Sequence, residues 1–169
     1  MKIYCSRSEL NKALNNVSHS VPVRTTSNIL EGILVNVDNN KMKLTATDTN
    51  ITIETTIDVQ SDESFEFVVP AKLFSAIVNK LPDEDIMMDF NSDSNKLNIR
   101  CAGSNSEIIC FRGDDYPKIK INEGNNVIYL SKEDIKTLIR KTAFSASTDR
   151  KSTRLNSSHR IASRMPSSA

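Results

Sequence analysis

A stretch of eight residues, written twice one domain length apart, constrains this chain more than any other feature. Ile3-Tyr4-Cys5-Ser6-Arg7-Ser8-Glu9-Leu10 aligns without gaps on Ile128-Tyr129-Leu130-Ser131-Lys132-Glu133-Asp134-Ile135, an offset of 125 residues. The register continues inward: Ala13 and Leu14 fall on Leu138 and Ile139, and the capping-box pair Ser6/Glu9 recurs as Ser131/Asp134. In such a box the hydroxyl accepts from the backbone N–H three residues on, which marks a helix start. The repeated unit is therefore a strand feeding a capped amphipathic helix, and its second copy implies the opening of a second, similar domain. A length of 169 residues leaves room for one ordinary domain and only the beginning of another.

Between the two copies the signals are mainly those of strands. Ile33, Val35 and Val37 alternate with Leu34, Asn36 and Asp38, and Ile51, Ile53, Ile57 and Val59 share one face opposite Thr52, Glu54, Thr56 and Asp58. Period-two alternation suits a sheet with one buried face. Further runs at 41–47, 64–69, 85–90, 96–101 and 106–111 are separated by turn-rich Asp38-Asn39-Asn40, Asn91-Ser92-Asp93-Ser94-Asn95 and Gly103-Ser104-Asn105. Two helices interrupt them. Leu10, Ala13, Leu14 and Val17 form one apolar stripe, and Phe74, Ile77, Val78 and Leu81 form another between Pro70 and Pro82. The fold class expected is α+β: an antiparallel sheet with two helices packed on one face, plus the first strand and helix of a second such domain.

Charge is divided unevenly. Residues 149–169 hold five basic residues against one acid (+4), which leaves 17 basic and 20 acidic residues (−3) in the first 148. A mildly acidic body excludes nucleic-acid binding by bulk charge and restricts any such contact to a local patch. No apolar run approaches the roughly 20 residues of a membrane-spanning helix, and the start of the chain lacks the apolar core of a signal peptide, so a cytoplasmic protein is expected. Cys5, Cys101 and Cys110 lack paired metal-ligand spacing and read as buried, reduced thiols. No phosphate loop, nucleophile turn or histidine pair is present, and the carboxylates at 83–85 and 114–115 sit in turns. Without a nucleophile, base and anion-binding set, no enzyme, metal or cofactor is expected.

The order of elements and several local strings resemble the bacterial DNA polymerase sliding clamp, the beta subunit of the replicative polymerase, from residue 1 to about 148. The strings are Met1-Lys2-Ile3, Arg24, Ile29-Leu30-Glu31-Gly32-Ile33, Leu44-Thr45-Ala46-Thr47-Asp48 with Ile51-Thr52-Ile53-Glu54, Val69-Pro70-Ala71-Lys72-Leu73-Phe74, Asp115-Tyr116-Pro117, and Phe144-Ser145-Ala146-Ser147-Thr148. Asn28 departs from the proline common there in the family. The resemblance implies a first clamp domain over 1–122 and the truncated start of a second over 127–148. It implies a three-domain chain that dimerises head to tail into a ring around duplex DNA and tethers the replicative polymerase without catalysing anything. It places a DNA contact at Arg24 and makes the helix cations Lys12, Lys72, Lys80, Lys132, Lys136 and Arg140 candidates for sequence-independent phosphate contact. The strand around Ile108 and Cys110 is the candidate half of the dimer interface. The pocket for polymerase and clamp-loader peptides, between the family's second and third domains, has no counterpart in this sequence. The competing reading is a free-standing α+β protein-interaction module.

Residues 149–169 are a different kind of sequence: six serines, five basic residues, no aromatic and no apolar periodicity. Such a segment is expected to be disordered. Asp149 through His159 resembles a translated sequencing-library adapter, and Ser163 through Ala169 resembles its far end, so the positive charge of the tail is read as accidental.

Overall fold

A computed structural model gives the structure of residues 1–22, 25, 27–117 and 129–143. The chain divides into two compact units, Met1–Ile119 and Lys120–Ala169. The first contains nine strands and two α-helices among its described residues: β1 (Lys2–Ser6), α1 (Arg7–Ser18), β2 (Gly32–Asp38), β3 (Lys41–Thr47), β4 (Thr52–Asp58), β5 (Phe65–Pro70), α2 (Ala71–Lys80), β6 (Asp85–Asn91), β7 (Lys96–Cys101), β8 (Ser104–Ile109) and β9 (Phe111–Arg112). Short 3-10 turns lie at Asn28–Glu31 and Gly113–Asp115.

The order strand-helix-three strands occurs twice, as β1-α1-β2-β3-β4 and β5-α2-β6-β7-β8. The α+β antiparallel class expected from the sequence holds, but the strands divide between two sheets rather than filling one. Each half contributes its first strand to the other half's sheet: one sheet runs β1-β6-β7-β8 and the other β4-β3-β2-β5-β9. Ile3 thus pairs with Met88, and Phe67 pairs with Val35. The sheets are joined at both sides. Tyr4 and Gln60 exchange backbone hydrogen bonds of 3.0 and 2.9 Å. On the opposite side Cys110 carries the chain directly from β8 into β9.

The period-two reading of the strands is realised in the burial except at β4, where Ile53 and Ile57 are only partly buried and Ile51, which precedes the strand, is exposed. Ile33, Val35, Val37, Met42, Leu44, Ala46, Ile86, Met88, Phe90, Leu97 and Ile99 face one shared core, into which α1 inserts Leu10, Ala13, Leu14 and Val17, and α2 inserts Ala71, Phe74 and Val78. Ile77 is only partly buried. Phe65, Phe67 and Phe90 stack in series, the closest ring centroids being 4.4 Å apart. The outer face of the larger sheet carries a second small buried group. Val68 is buried there under the segment that follows β9, and the buried Tyr116 donates its hydroxyl to the Gly32 carbonyl at 3.5 Å. Glycine is required at 32, where a Cβ would run into Val68 and the Ile29 carbonyl.

The capping box expected at Ser6 and Glu9 does not form. Ser6 is the N-cap residue, yet its hydroxyl makes no cap bond. It is also the last residue of β1, paired with Asp85, so the strand dictates its geometry. The helix start is held instead by the Arg7 N–H, which donates to the Glu84 carbonyl at 3.3 Å. In the second copy the cap forms as expected, though the strand expected before it does not at Tyr129 and Leu130: Ser131 Oγ accepts from the Asp134 N–H at 3.1 Å and donates to the Asp134 carboxylate at 2.8 Å. It opens α3 (Lys132–Ala143), all of whose residues are exposed, including the stripe Ile135, Leu138 and Ile139. Tyr129 and Leu130 are not in a strand, and Ile128 lies outside the described residues. Residues 144–169, which include the tail, also lie outside them.

Three outcomes follow from this packing. Ser6→Ala should change the unfolding free energy by less than about 0.5 kcal/mol in urea titration, since a working cap is worth roughly 0.5–2. Thr49, in the β3–β4 turn, adopts φ 76, a conformation in which a β-branched side chain is strained. Thr49→Gly should therefore raise stability by about 1 kcal/mol in the same assay. The three thiols are free and buried. Burial, reinforced by Asp85 and Glu9, pushes Cys5 from the ordinary 9.0 up to about 12, and burial does the same to Cys110. Both should resist alkylation at pH 8 until the chain is unfolded. Because the unfolded thiols ionise first, stability should fall as pH rises from about 9 towards 12, read by chemical denaturation across that window.

Candidate nucleic-acid interface

Within the first unit α1 and α2 pack against one another and against the inner faces of the sheets. Each helix buries one stripe and exposes the other side. Lys12 lies on the exposed side of α1, and Lys72 and Lys80 lie on the exposed side of α2 with Ala76 between them. In the second unit Lys132, Lys136 and Arg140 recur at four-residue spacing along α3, so they share one side of that helix, and all are exposed. Arg24 lies outside the described residues.

Ion pairing separates these cations from several others. Lys43 pairs with Glu54 at 3.6 Å, Lys96 with Glu107 at 2.7 Å and Arg112 with Asp114 at 3.5 Å. Among the described residues, no ion pair or side-chain hydrogen bond engages Lys12, Lys72, Lys80, Lys132, Lys136 or Arg140. Lys2, Lys41 and Arg100 on the sheets are also unengaged, so what distinguishes the candidates is their helical position rather than freedom alone. An unpaired ammonium on a flexible stem can meet an anionic backbone without first losing a protein partner.

Arg7 is the residue that sequence reasoning missed. From the first position of α1 its guanidinium reaches the end of α2: Nε donates to the Val78 carbonyl at 3.3 Å, Nη2 donates to the Asn79 carbonyl at 3.1 Å, and Nη1 lies 3.9 Å from an Asp83 carboxylate oxygen. A signal for it was available. A cation in the first turn opposes its own helix dipole, so it is favoured there only when it has a partner elsewhere. Here that partner is the negative end of the neighbouring helix.

The side chains of Ile108 and Cys110 are almost fully buried, at 1% and 4% exposure, within this unit's own core. The surface at that side belongs to their neighbours: Ile109 is 68% and Phe111 41% exposed. Among the described residues β8 is the last strand of its sheet and pairs with β7 alone, which leaves its other backbone edge a candidate for a partner strand. Among the described residues no group of three or more His, Cys, Asp or Glu side chains is arranged to hold a metal, and no helix is long and apolar enough to cross a membrane.

Comparison with known proteins gives a consistent result. Residues 1–120 match the family described as DNA polymerase III beta subunit, N-terminal domain. A beta sliding clamp from Halalkalibacterium halodurans is 34% identical over 143 residues, a match covering 80% of this chain and 37% of the relative. One from Vibrio harveyi is 31% identical over 146 residues, covering 86% of this chain and 100% of the relative. Among solved structures, a DNA polymerase sliding clamp from Caulobacter crescentus superposes with a TM-score of 0.82 at 30% identity, over 89% of this chain and 41% of that one. Except for the Vibrio harveyi sequence, this chain spans about two fifths of the length of the relatives it matches. With a family match over most of its residues and the same fold in solved relatives, the chain belongs to the DNA polymerase III beta subunit family, the beta sliding clamps.

Proposed function

We propose that this chain supplies the first domain, residues 1–122, and the opening of the second, residues 127–148, of a clamp that encircles duplex DNA and tethers the replicative polymerase in the cytoplasm. The role is mechanical and non-catalytic. The observation that carries this reading is the pair of packed helices presenting Lys12, Lys72 and Lys80 exposed and, among the described residues, without partners on an otherwise acidic body. Phosphate contacts from such side chains are independent of base sequence, which a sliding protein needs. By family resemblance Arg24 is a further contact, and Lys136 and Arg140 are the candidates on α3, taken by itself.

The same reading assigns the open edge of β8 to one half of a homodimeric ring contact. Ile108 anchors that strand from the inside and Cys110 the residue just beyond it, while Ile109 is exposed at the end of β8 and Phe111 on β9. Polymerase and clamp-loader peptides bind parts of the clamp outside this sequence.

Residues 1–148 should bind a short duplex with a dissociation constant of about 0.1 mM or weaker at physiological salt, tightening as salt is lowered. Replacing Lys12, Lys72 and Lys80 together by glutamine should reduce the salt slope by about 2 to 3. Fluorescence anisotropy across a salt series measures both. A triple variant whose affinity and slope equal those of the parent would remove the helix face from the DNA contact and favour the protein-interaction module.

A further inference from the structure

Resting on the DNA-facing reading of the helices, we propose that Arg7 is a positioning residue for phosphate contact: by occupying the last carbonyls of α2 it cancels the negative end of that helix and fixes Lys80 where a phosphate can meet it. The surroundings make the need clear. α2 ends at Lys80, and its terminal carbonyls, of which that of Val78 also accepts from the Leu81 N–H at 3.3 Å, carry roughly half a negative charge. The turn that follows is acidic, with Asp83, Glu84 and Asp85 in succession. Left to itself, this end of the helix would repel a phosphate at the position where Lys80 is offered.

Arg7 acts on the helix end and on the first of these acids. Two of its guanidinium nitrogens take the carbonyls of Val78 and Asn79, the residues immediately before Lys80, and the third lies beside the Asp83 carboxylate. Its backbone N–H takes the Glu84 carbonyl, so the turn is held from both its ends. The guanidinium is suited to this because it is planar and permanently charged and donates in several directions; an ammonium on a lysine stem cannot bond both carbonyls in the same geometry. The Arg7 side chain is only 21% exposed, which places it behind the surface rather than on it. It acts through Lys80, not by touching DNA.

The test is a double-substitution cycle on the full 169-residue chain, whose tail contributes equally to every variant and cancels in the ratios. The probe is a 20-base-pair duplex at about 50 mM salt, with binding read by anisotropy and folding by thermal melts. Lys80→Gln should weaken binding about threefold, the loss of one phosphate contact. Arg7→Met should weaken it by a similar factor, and adding Lys80→Gln to Arg7→Met should have no further effect. Lys12→Gln should remain additive with Arg7→Met. Arg7→Lys should recover part of the affinity. A residue that merely stabilises the fold would lower the melting midpoint without abolishing the Lys80 effect, so an undiminished Lys80→Gln effect beside Arg7→Met overturns the inference while leaving the DNA-facing reading intact. If Lys80→Gln alone binds like the parent, that reading of Lys80 fails and the inference fails with it. Should Arg7→Met not fold, the same cycle with Arg7→Lys decides, since retained coupling to Lys80 in that background supports the inference and full additivity overturns it.

Discussion

The exchange of first strands between the two halves of the domain is the constraint on which the rest of the structure depends. β1 has its hydrogen-bonding partner in the second half, at β6, and β5 has its partner in the first half, at β2. Neither half therefore owns a complete sheet, and neither can bury its helix stripe without the other. The shared core, from Ile3 and Leu10 to Phe90 and Ile108, is a single body in consequence. Hydrophobic burial of this kind has no direction of its own. Here the backbone ladders supply the direction, by fixing which apolar faces meet.

That arrangement also decides where charge can be placed. Each half sends a helix out of its borrowed strand, so α1 starts beside the turn that ends α2. Opposite helix ends are thereby brought together, the positive start of one near the negative finish of the other, and Arg7 lies at the junction. With sheets paired through Lys43–Glu54 and Lys96–Glu107, much of the charge on the sheet surface is locally neutralised. Among the described residues, exposed and unengaged cations remain on the helices and, at Lys2, Lys41 and Arg100, on the sheets, so helical position is what sets the candidates apart. An acidic protein can in this way present a basic surface to one partner without a net positive charge.

Much of the fold was legible in the sequence because periodicity survives folding. The stripes of α1 and α2 and the alternation of β2, β3, β6 and β7 read directly as buried faces, and the three cysteines are buried thiols as their spacing implied. What could not be read were facts that depend on distant partners. Alternation gives the faces of a strand but not its neighbours, so the division into two sheets was hidden. Ser6 carried a capping signature that its second role as a strand residue overrode, whereas Ser131, free of a strand, realised it. At the site, the helix lysines were visible as residues off the apolar stripe, but Arg7 was not, because its partners lie 71 and 72 residues away. Ile108 lies on β8 and Cys110 just beyond its end, and alternation alone could not tell whether they or Ile109 and Phe111 would face outward.

The pairing of β1 with β6 has a consequence for how the chain is made. The larger sheet is built from residues 32–70 plus the short β9, and its four main strands lie close together in sequence. β1, by contrast, is synthesised before its partner and cannot pair until residues 85–89 follow it out. During that interval of translation, strand residues destined for the core, Ile3 and Cys5 among them, have no sheet to join. Contacts that span so much of the chain carry a larger closure entropy and form late. The residues of β1 are thus synthesised well before they can become ordered, and an apolar strand waiting for its partner is the kind of segment that chaperones which recognise nascent chains are suited to hold.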